Sequence, residues 1–164
     1  MDRSSIFREH IWPLRDSMFR LAHRITLSRE EAEDVVQDAM ERLWRESDSL
    51  LLVKSIEAWS LRMVRNLSLD RLKWAGRNKV ELNAERDASP VAETDAKIEK
   101  EEMMRLLTEA MDNLPEVQRS IMTLRDIEGK SYAEISQILQ ISETQVKVYL
   151  HRGREKMKKI LIGV

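Results

Sequence analysis

Apolar residues recur at helical spacing in two stretches of the chain and lose that rhythm between them. In the first stretch Leu14, Met18, Leu21, Ala22 and Ile25 form one stripe, and Pro13 suits the opening of that helix. The clearest helix follows in "SREEAEDVVQDAMERLWRE", where Ala32, Val35, Val36, Ala39, Met40, Leu43 and Trp44 fall on i, i+3, i+4, i+7 spacing. Ser28 is placed to cap its N-terminus, and Glu30 and Glu31 stand in the first turn, where the helix dipole favours anions. A third helix is predicted from about Ser55 to about Trp74. Its main stripe is Ile56, Trp59, Met63, Val64 and Leu67, widened by Leu61, Leu69 and Leu72, so Trp59 is expected in the core.

From about Gly76 to about Lys100 the periodicity disappears. "RNKVELNAERDASPVAETDAKIEK" is polar, acid-rich and interrupted by a proline, and it reads as a flexible linker with any helix at its ends. The rhythm returns with Met103, Leu106, Leu107, Ala110, Met111 and Leu114. Pro115 suits a first helical position, and Gly129 suits the position just past a helix ending near Glu128. Two capping-box patterns then follow closely: Ser131 with Glu134, and Ser142 with Gln145. Ile141 and Val146 add a hydrophobic staple. Two helix starts this close predict a short helix over Tyr132–Leu139, the turn "QIS", and a second helix from Glu143 to beyond Met157, which is a helix-turn-helix. Ile135, Ile138, Leu139, Ile141, Val146 and Leu150 close its core.

Composition fixes the class. With 164 residues, 35% of them charged, and only Gly 4 and Pro 3, the chain is expected to be all-α. It divides into two small helical domains, 1–78 and 101–164, joined by a flexible acidic linker over 79–100. Cys 0 excludes a disulfide frame, a thiolate nucleophile and a cysteine-based zinc site. No apolar run approaches the roughly 18 residues needed to span a bilayer, and "MDRSSIFREH" lacks the apolar core of a secretory signal. The expectation is a soluble cytoplasmic protein with no direct membrane insertion.

A formal net charge of -1 rules out a uniformly basic coat, so any polyanion-binding surface is local. The polar face of the second helix carries Glu30, Asp34, Gln37, Asp38, Glu41 and Arg45. That of the third is mostly cationic, with Arg62, Arg65, Arg71 and Lys73 against Asp70. The largest excess lies near the end, where Lys147, Arg152, Arg154, Lys156, Lys158 and Lys159 are opposed only by Glu155. A helix dipole explains cations in a last turn, but Lys147 and Arg152 stand too far from the C-terminus for that. Phosphate contact accounts for all six, because neutralised phosphates release counterions. The outer side of the last helix presents Thr144, Lys147, Val148, His151 and Arg152, as a recognition helix does to a major groove. An enzyme finds little support: His10, His23 and His151 have no ligand-spaced partner, and there is no Gly-rich phosphate loop. No metal or cofactor is implied. A stand-alone helix-turn-helix regulator, with the first block as a dimerisation or sensing unit, stays open on these grounds.

The residues also resemble a family. "LPEVQRSIMTLRDIEGKSYAEISQILQISETQVKVYLHRGREKMK" is similar to region four of bacterial sigma factors, in particular of the extracytoplasmic-function group, which has only regions two and four. "RLAHRITLSREEAEDVVQDAMERLWR" resembles the opening helices of region two, and "IEAWSLRMVRNLSLDRLKW" resembles the helix that reads the minus-ten element. The resemblance implies a protein without enzyme activity that joins core RNA polymerase and gives it promoter specificity. It implies polymerase-binding residues Asp34, Gln37, Asp38 and Arg42. For the single-stranded minus-ten region it implies Arg62, Arg65, Asn66, Asp70 and Arg71, with Glu46–Lys54 as the loop that pockets a flipped base. For the duplex minus-thirty-five element it implies base-edge residues Thr144, Lys147, Val148, His151 and Arg152, and phosphate contacts from Arg154 and Lys158, with Lys130 and Tyr132 near the backbone. It also implies a membrane-linked anti-sigma partner. Four residues depart from the family pattern: Gln140 replaces a common turn glycine, Ser136 a common alanine, and Val148-Tyr149 a frequent Ser-Arg pair.

Overall fold

The computed structural model describes residues 2–85 and 99–162, and every regular element among them is helical. A short helix α1 (Arg3–Ile6) passes through a wide π turn at Phe7–Ile11 and a tight turn at Trp12–Leu14 into α2 (Arg15–Thr26). Next come α3 (Arg29–Arg45), α4 (Ser47–Leu50) and the long α5 (Ile56–Glu85). The second half contains α6 (Lys100–Asp112), α7 (Glu116–Met122) continuing through a π turn at Thr123–Ile127, α8 (Tyr132–Leu139) and α9 (Glu143–Leu161). Helix α5 runs past its expected end near Trp74, and residues 86–98 of the expected linker lie outside those described. The segment before Pro13, for which no helix was expected, is helical from Arg3.

The first bundle is α2, α3 and α5 packed together around Leu21, Ala22, Ile25, Val35, Ala39, Leu43, Leu61 and Val64, all fully buried. These are stripe positions, and each buried Val, Leu or Ile side chain among them contributes roughly 1.5–3 kcal/mol by leaving water. Ser28 caps α3 as expected, its Oγ accepting from the Glu31 amide at 3.2 Å. Two tryptophans of the stripes end at the surface. Trp44 and Trp59 are each 38% exposed, because a stripe of this width extends past the neighbouring helix.

In the second bundle α9 lies against α7, α8 and α6. Both capping boxes are formed: the Ser131 and Ser142 hydroxyls accept from the Glu134 and Gln145 amides at 3.1 Å each, and the Glu134 and Gln145 side chains accept in return from the Ser131 and Ser142 amides. The backbone bond at Ser131 also holds the Glu134 carboxyl below the usual range. Pro115 stands just before α7 as its N-cap, one position earlier than expected, and Gly129 adopts the left-handed conformation (φ 71°). Between α8 and α9 the turn needs a left-handed residue, and Gln140 supplies it at φ 58°. Ser136 holds the same turn, its hydroxyl donating to the Ile141 carbonyl at 2.5 Å. A side chain in this conformation costs roughly 1 kcal/mol. Gln140→Gly is therefore expected to raise stability by up to about 1 kcal/mol, read as a higher denaturation midpoint at unchanged slope. A lower midpoint would show that the glutamine side chain holds the turn.

One close approach sets the position of α9. A Cβ on Gly153 would stand 3.0 Å from Met122 Sδ and 3.3 Å from Gln118 Cβ, so the glycine is what lets α9 lie this near α7.

The two bundles are in contact, α2 with α7 and α5 with α8. At the centre is Arg119, only 6% exposed, and burial pushes its guanidinium down from the ordinary value. Its Nε donates to the Arg24 carbonyl at 2.7 Å, Nη2 to the Ile25 carbonyl at 3.1 Å and Nη1 to the Leu114 carbonyl at 2.5 Å. Arg24 and Ile25 lie in the last turn of α2, whose carbonyls have no partner within the helix. Around this centre, Arg20 pairs with Glu128 at 2.5 Å and Arg24 with Asp112 at 3.0 Å. Arg65 pairs with Glu116 at 3.2 Å, and Lys130 with Glu57.

Candidate nucleic-acid interface

The most complete surface is the outer face of α9. Val146 and Leu150 are buried and fix the rotation of the helix, while the capping box fixes its start. Thr144, Lys147, Val148, His151 and Arg152 are left on the solvent side, all exposed. Lys147 lies over the Tyr132 ring at 5.5 Å, and Arg125 over the same ring at 4.5 Å, so α9 and the π turn after α7 present cations beside one aromatic ring of α8. Of the two residues expected at phosphates, Lys158 is exposed, whereas Arg154 is bonded to Asp126 at 2.5 Å, a bond that raises its pKa.

On the first bundle, a cavity of about 200 Å³ opens between α3 and α5. Trp59, Arg62, Asn66 and Asp70 line it from α5, and Arg42 from α3. Arg42, expected with the polymerase-binding residues, thus stands beside the minus-ten candidates. The reverse holds for Arg71, expected on DNA, which lies 3.6 Å from Asp34 and 3.5 Å from Asp38. Asp34 and Gln37 are exposed on the outer face of α3 and Asp38 is half-buried. Arg62 and Arg65 turn toward the second bundle: Arg62 donates twice to the Gln137 carbonyl, from Nε at 3.0 Å and Nη2 at 2.6 Å, and Arg65 faces Glu116. Sequence reasoning did not single out Arg119, Glu116 or Glu128, which bind these elements together. An arginine inside the run "EVQRSIMTL" was the available signal.

The domain model of sigma-70 region 2 matches residues 13–78, and that of sigma-70 region 4 matches residues 104–157. The ECF RNA polymerase sigma factor SigM of Mycobacterium tuberculosis (strain H37Rv) is 31% identical over 157 residues, covering 95% of this chain and 75% of that protein. The chain belongs to the ECF RNA polymerase sigma factors. SigW of Bacillus subtilis (strain 168) is 28% identical over 90% of this sigma factor and 84% of its own length. SigE of Mycolicibacterium smegmatis is 32% identical, with the match spanning 58% of that longer protein. Among solved structures, the sigma factor RpoE of Bartonella quintana, in complex with the anti-sigma factor NepR, aligns at TM-score 0.75 over 96% of this chain and 97% of that one, at 19% identity. CnrH, in complex with the cytosolic domain of CnrY, aligns at TM-score 0.69 over 98% and 89%, also at 19% identity. These likenesses establish the fold. Family membership makes this sigma factor a promoter-specificity factor of RNA polymerase and sets aside the stand-alone regulator. Among the described residues, no helix is long and apolar enough to cross a membrane.

Proposed function

We propose that this sigma factor divides promoter recognition between its halves: the first, residues 1–78, binds core polymerase and reads the minus-ten element, and the second, residues 101–164, reads the minus-thirty-five element through α9. The observation that carries this division is the face of α9, where five exposed side chains of mixed base-reading chemistry stand on a helix fixed by a capping box and two buried residues. Lys147 and Arg152 supply donors to guanine edges, Thr144 and His151 hydrogen-bond either way, and Val148 offers an apolar contact to a thymine methyl. Lys158 is the phosphate contact, with Arg154 able to serve only by leaving Asp126. On α5, Arg62, Arg65, Asn66, Asp70 and Arg71 serve the opened strand, with Asn66 and Asp70 reaching base edges from the cavity beside Trp59. The protein performs no catalysis itself and acts in the cytoplasm, where polymerase and chromosome meet. An anti-sigma partner, as RpoE has in NepR, is the regulator we expect; native pull-down recovering polymerase alone would count against it.

The polymerase face gives the sharpest test of the first half. Asp34, Gln37, Asp38 and Arg42 form a polar strip on α3, and its carboxylates suit a cationic partner surface. Asp34→Arg with Asp38→Arg is expected to weaken binding to core polymerase by about tenfold or more. Binding of the free chain to minus-thirty-five duplex should stay unchanged. Co-elution with core enzyme and duplex binding by the free chain measure the two halves separately. Undiminished holoenzyme formation by the double variant would place the polymerase contact elsewhere.

A further inference from the structure

Of the six cations that α9 carries between Lys147 and Lys159, Arg154 is the one paired with a carboxylate among the described residues. Its Nη2 donates to Asp126 Oδ1 at 2.5 Å and its Nε to Oδ2 at 3.4 Å, so one edge of the guanidinium is taken up by Asp126. That fork fits a carboxylate and a phosphate equally well, and the same edge serves one of them at a time. Two features bring the pair together. Gly153 is buried against Met122 and Gln118, which places the next residue of α9 beside the end of α7. The chain then leaves α7 through the π turn Thr123–Ile127, closed by the Glu128 amide donating to the Thr123 carbonyl at 2.9 Å, and this turn carries Asp126 to α9. Arg125, next to Asp126, is engaged elsewhere, donating to the Lys130 carbonyl at 2.8 Å and lying over the Tyr132 ring. Among the described residues Arg154 is thus the cation that Asp126 holds.

We propose that Asp126 is an affinity-setting residue for duplex binding: by holding Arg154 it keeps one cation of α9 off the phosphate backbone, so that the second half grips DNA less tightly than its cations alone would allow. The inference rests on the assignment of α9 to the minus-thirty-five duplex given above. The two side chains are 49% and 36% exposed, and an ion pair so open to solvent contributes little to the fold. Its effect on DNA has two parts. Asp126 neutralises Arg154, and its own charge repels the phosphate that Arg154 would otherwise meet. Neither part depends on base sequence, because phosphate contacts position a protein without reading bases. Asp126 therefore sets how strongly any duplex is held, while Thr144, Lys147, Val148, His151 and Arg152 set which duplex is preferred. A weaker uniform grip shortens the stay on non-promoter duplex, which far outnumbers promoters.

The test uses the full chain and two duplex probes, one enriched by the parent chain from a randomised pool and one of scrambled sequence. Asp126→Asn keeps the shape of the side chain and removes its charge. It is expected to tighten binding of both probes by about threefold to tenfold, and to steepen the fall of log affinity with log salt by about one unit of slope. The sequence enriched from the pool should stay the same. Asp126→Ala is expected to match Asp126→Asn, and Asp126→Glu, which keeps the carboxylate, to bind as the parent does. Arg154→Ala added to Asp126→Asn should return the slope to that of the parent, because the released cation is then gone. Glu155→Gln removes an exposed carboxylate next to Arg154 in sequence and controls for net charge. It is expected to move the slope by less than about half as much. Unchanged or weaker binding by Asp126→Asn, an equal gain in Glu155→Gln, or a slope that stays steep in the double variant would each overturn the role of Asp126. A pool from which the parent enriches no sequence strikes the assignment of α9 and this proposal with it. Enrichment by the parent together with an unmoved slope in Asp126→Asn strikes Asp126 alone.

Discussion

Arg119→Met is expected to lower the stability of the chain by about 2–4 kcal/mol and to split its unfolding into two transitions. The methionine fills much of the same volume, but the Arg24, Ile25 and Leu114 carbonyls lose their donor in a site that is 6% exposed. A buried carbonyl left unpaired costs roughly 1–3 kcal/mol, and three neighbours sharing one donor add less than their sum. Arg119→Lys keeps the charge without the fork, so it should fall between Met and the parent. The splitting is directly observable because all four tryptophans, Trp12, Trp44, Trp59 and Trp74, lie in the first half, while both tyrosines, Tyr132 and Tyr149, lie in the second. Tryptophan fluorescence then follows one bundle and far-ultraviolet dichroism follows both. Coincident curves with less than about 1 kcal/mol lost would mean that Arg119 does not couple the bundles.

Lys147→Ala with Arg152→Ala is expected to reduce transcription from a promoter that depends on the minus-thirty-five element by roughly 30-fold or more, since each good side-chain contact to a base edge is worth about 1–3 kcal/mol and two are removed. Binding to core polymerase should not change, because both residues face solvent on α9, away from the α3 strip. The salt dependence of duplex binding should also become shallower by about one unit of slope for each cation that touches a phosphate instead of a base. Arg154→Ala is the internal comparison: its guanidinium is already bonded to Asp126, so its removal should cost several-fold less. If the double variant footprints and transcribes like the parent, the reading face of α9 is wrongly assigned.

What could be read from the sequence was what depends on near neighbours along the chain. The capping boxes at Ser131 and Ser142, the cap at Ser28 and the left-handed turn at Gly129 are each decided within a few residues, and each stands as expected. The stripes of α2, α3 and α5 marked the core, but Trp44 and Trp59 show where such a reading fails. Periodicity says which residues share a face and not how far the neighbour reaches across it. The exposed side of α9 was legible because burial of Val146 and Leu150 dictates it. Arg62 and Arg65 were not, because their partners lie 75 and 51 residues away and no local pattern encodes them. The neighbours of Arg42 and Arg71 were not legible for the same reason, since the groove between α3 and α5 joins residues that are far apart in sequence.

Gly153 gives the recognition helix a pivot. Thr144 lies nine residues before it, about 13 Å along the axis at 1.5 Å per residue, so a tilt of about 5° at the pivot moves the start of the helix by about 1 Å. A side chain at 153 would have to displace Met122 or Gln118, and α9 would swing as a lever about that point. The register in which Lys147 and Arg152 meet a base pair is therefore set partly from behind the helix, at a residue that never faces DNA. Promoter preference in this chain could shift without any change in the residues that read the sequence.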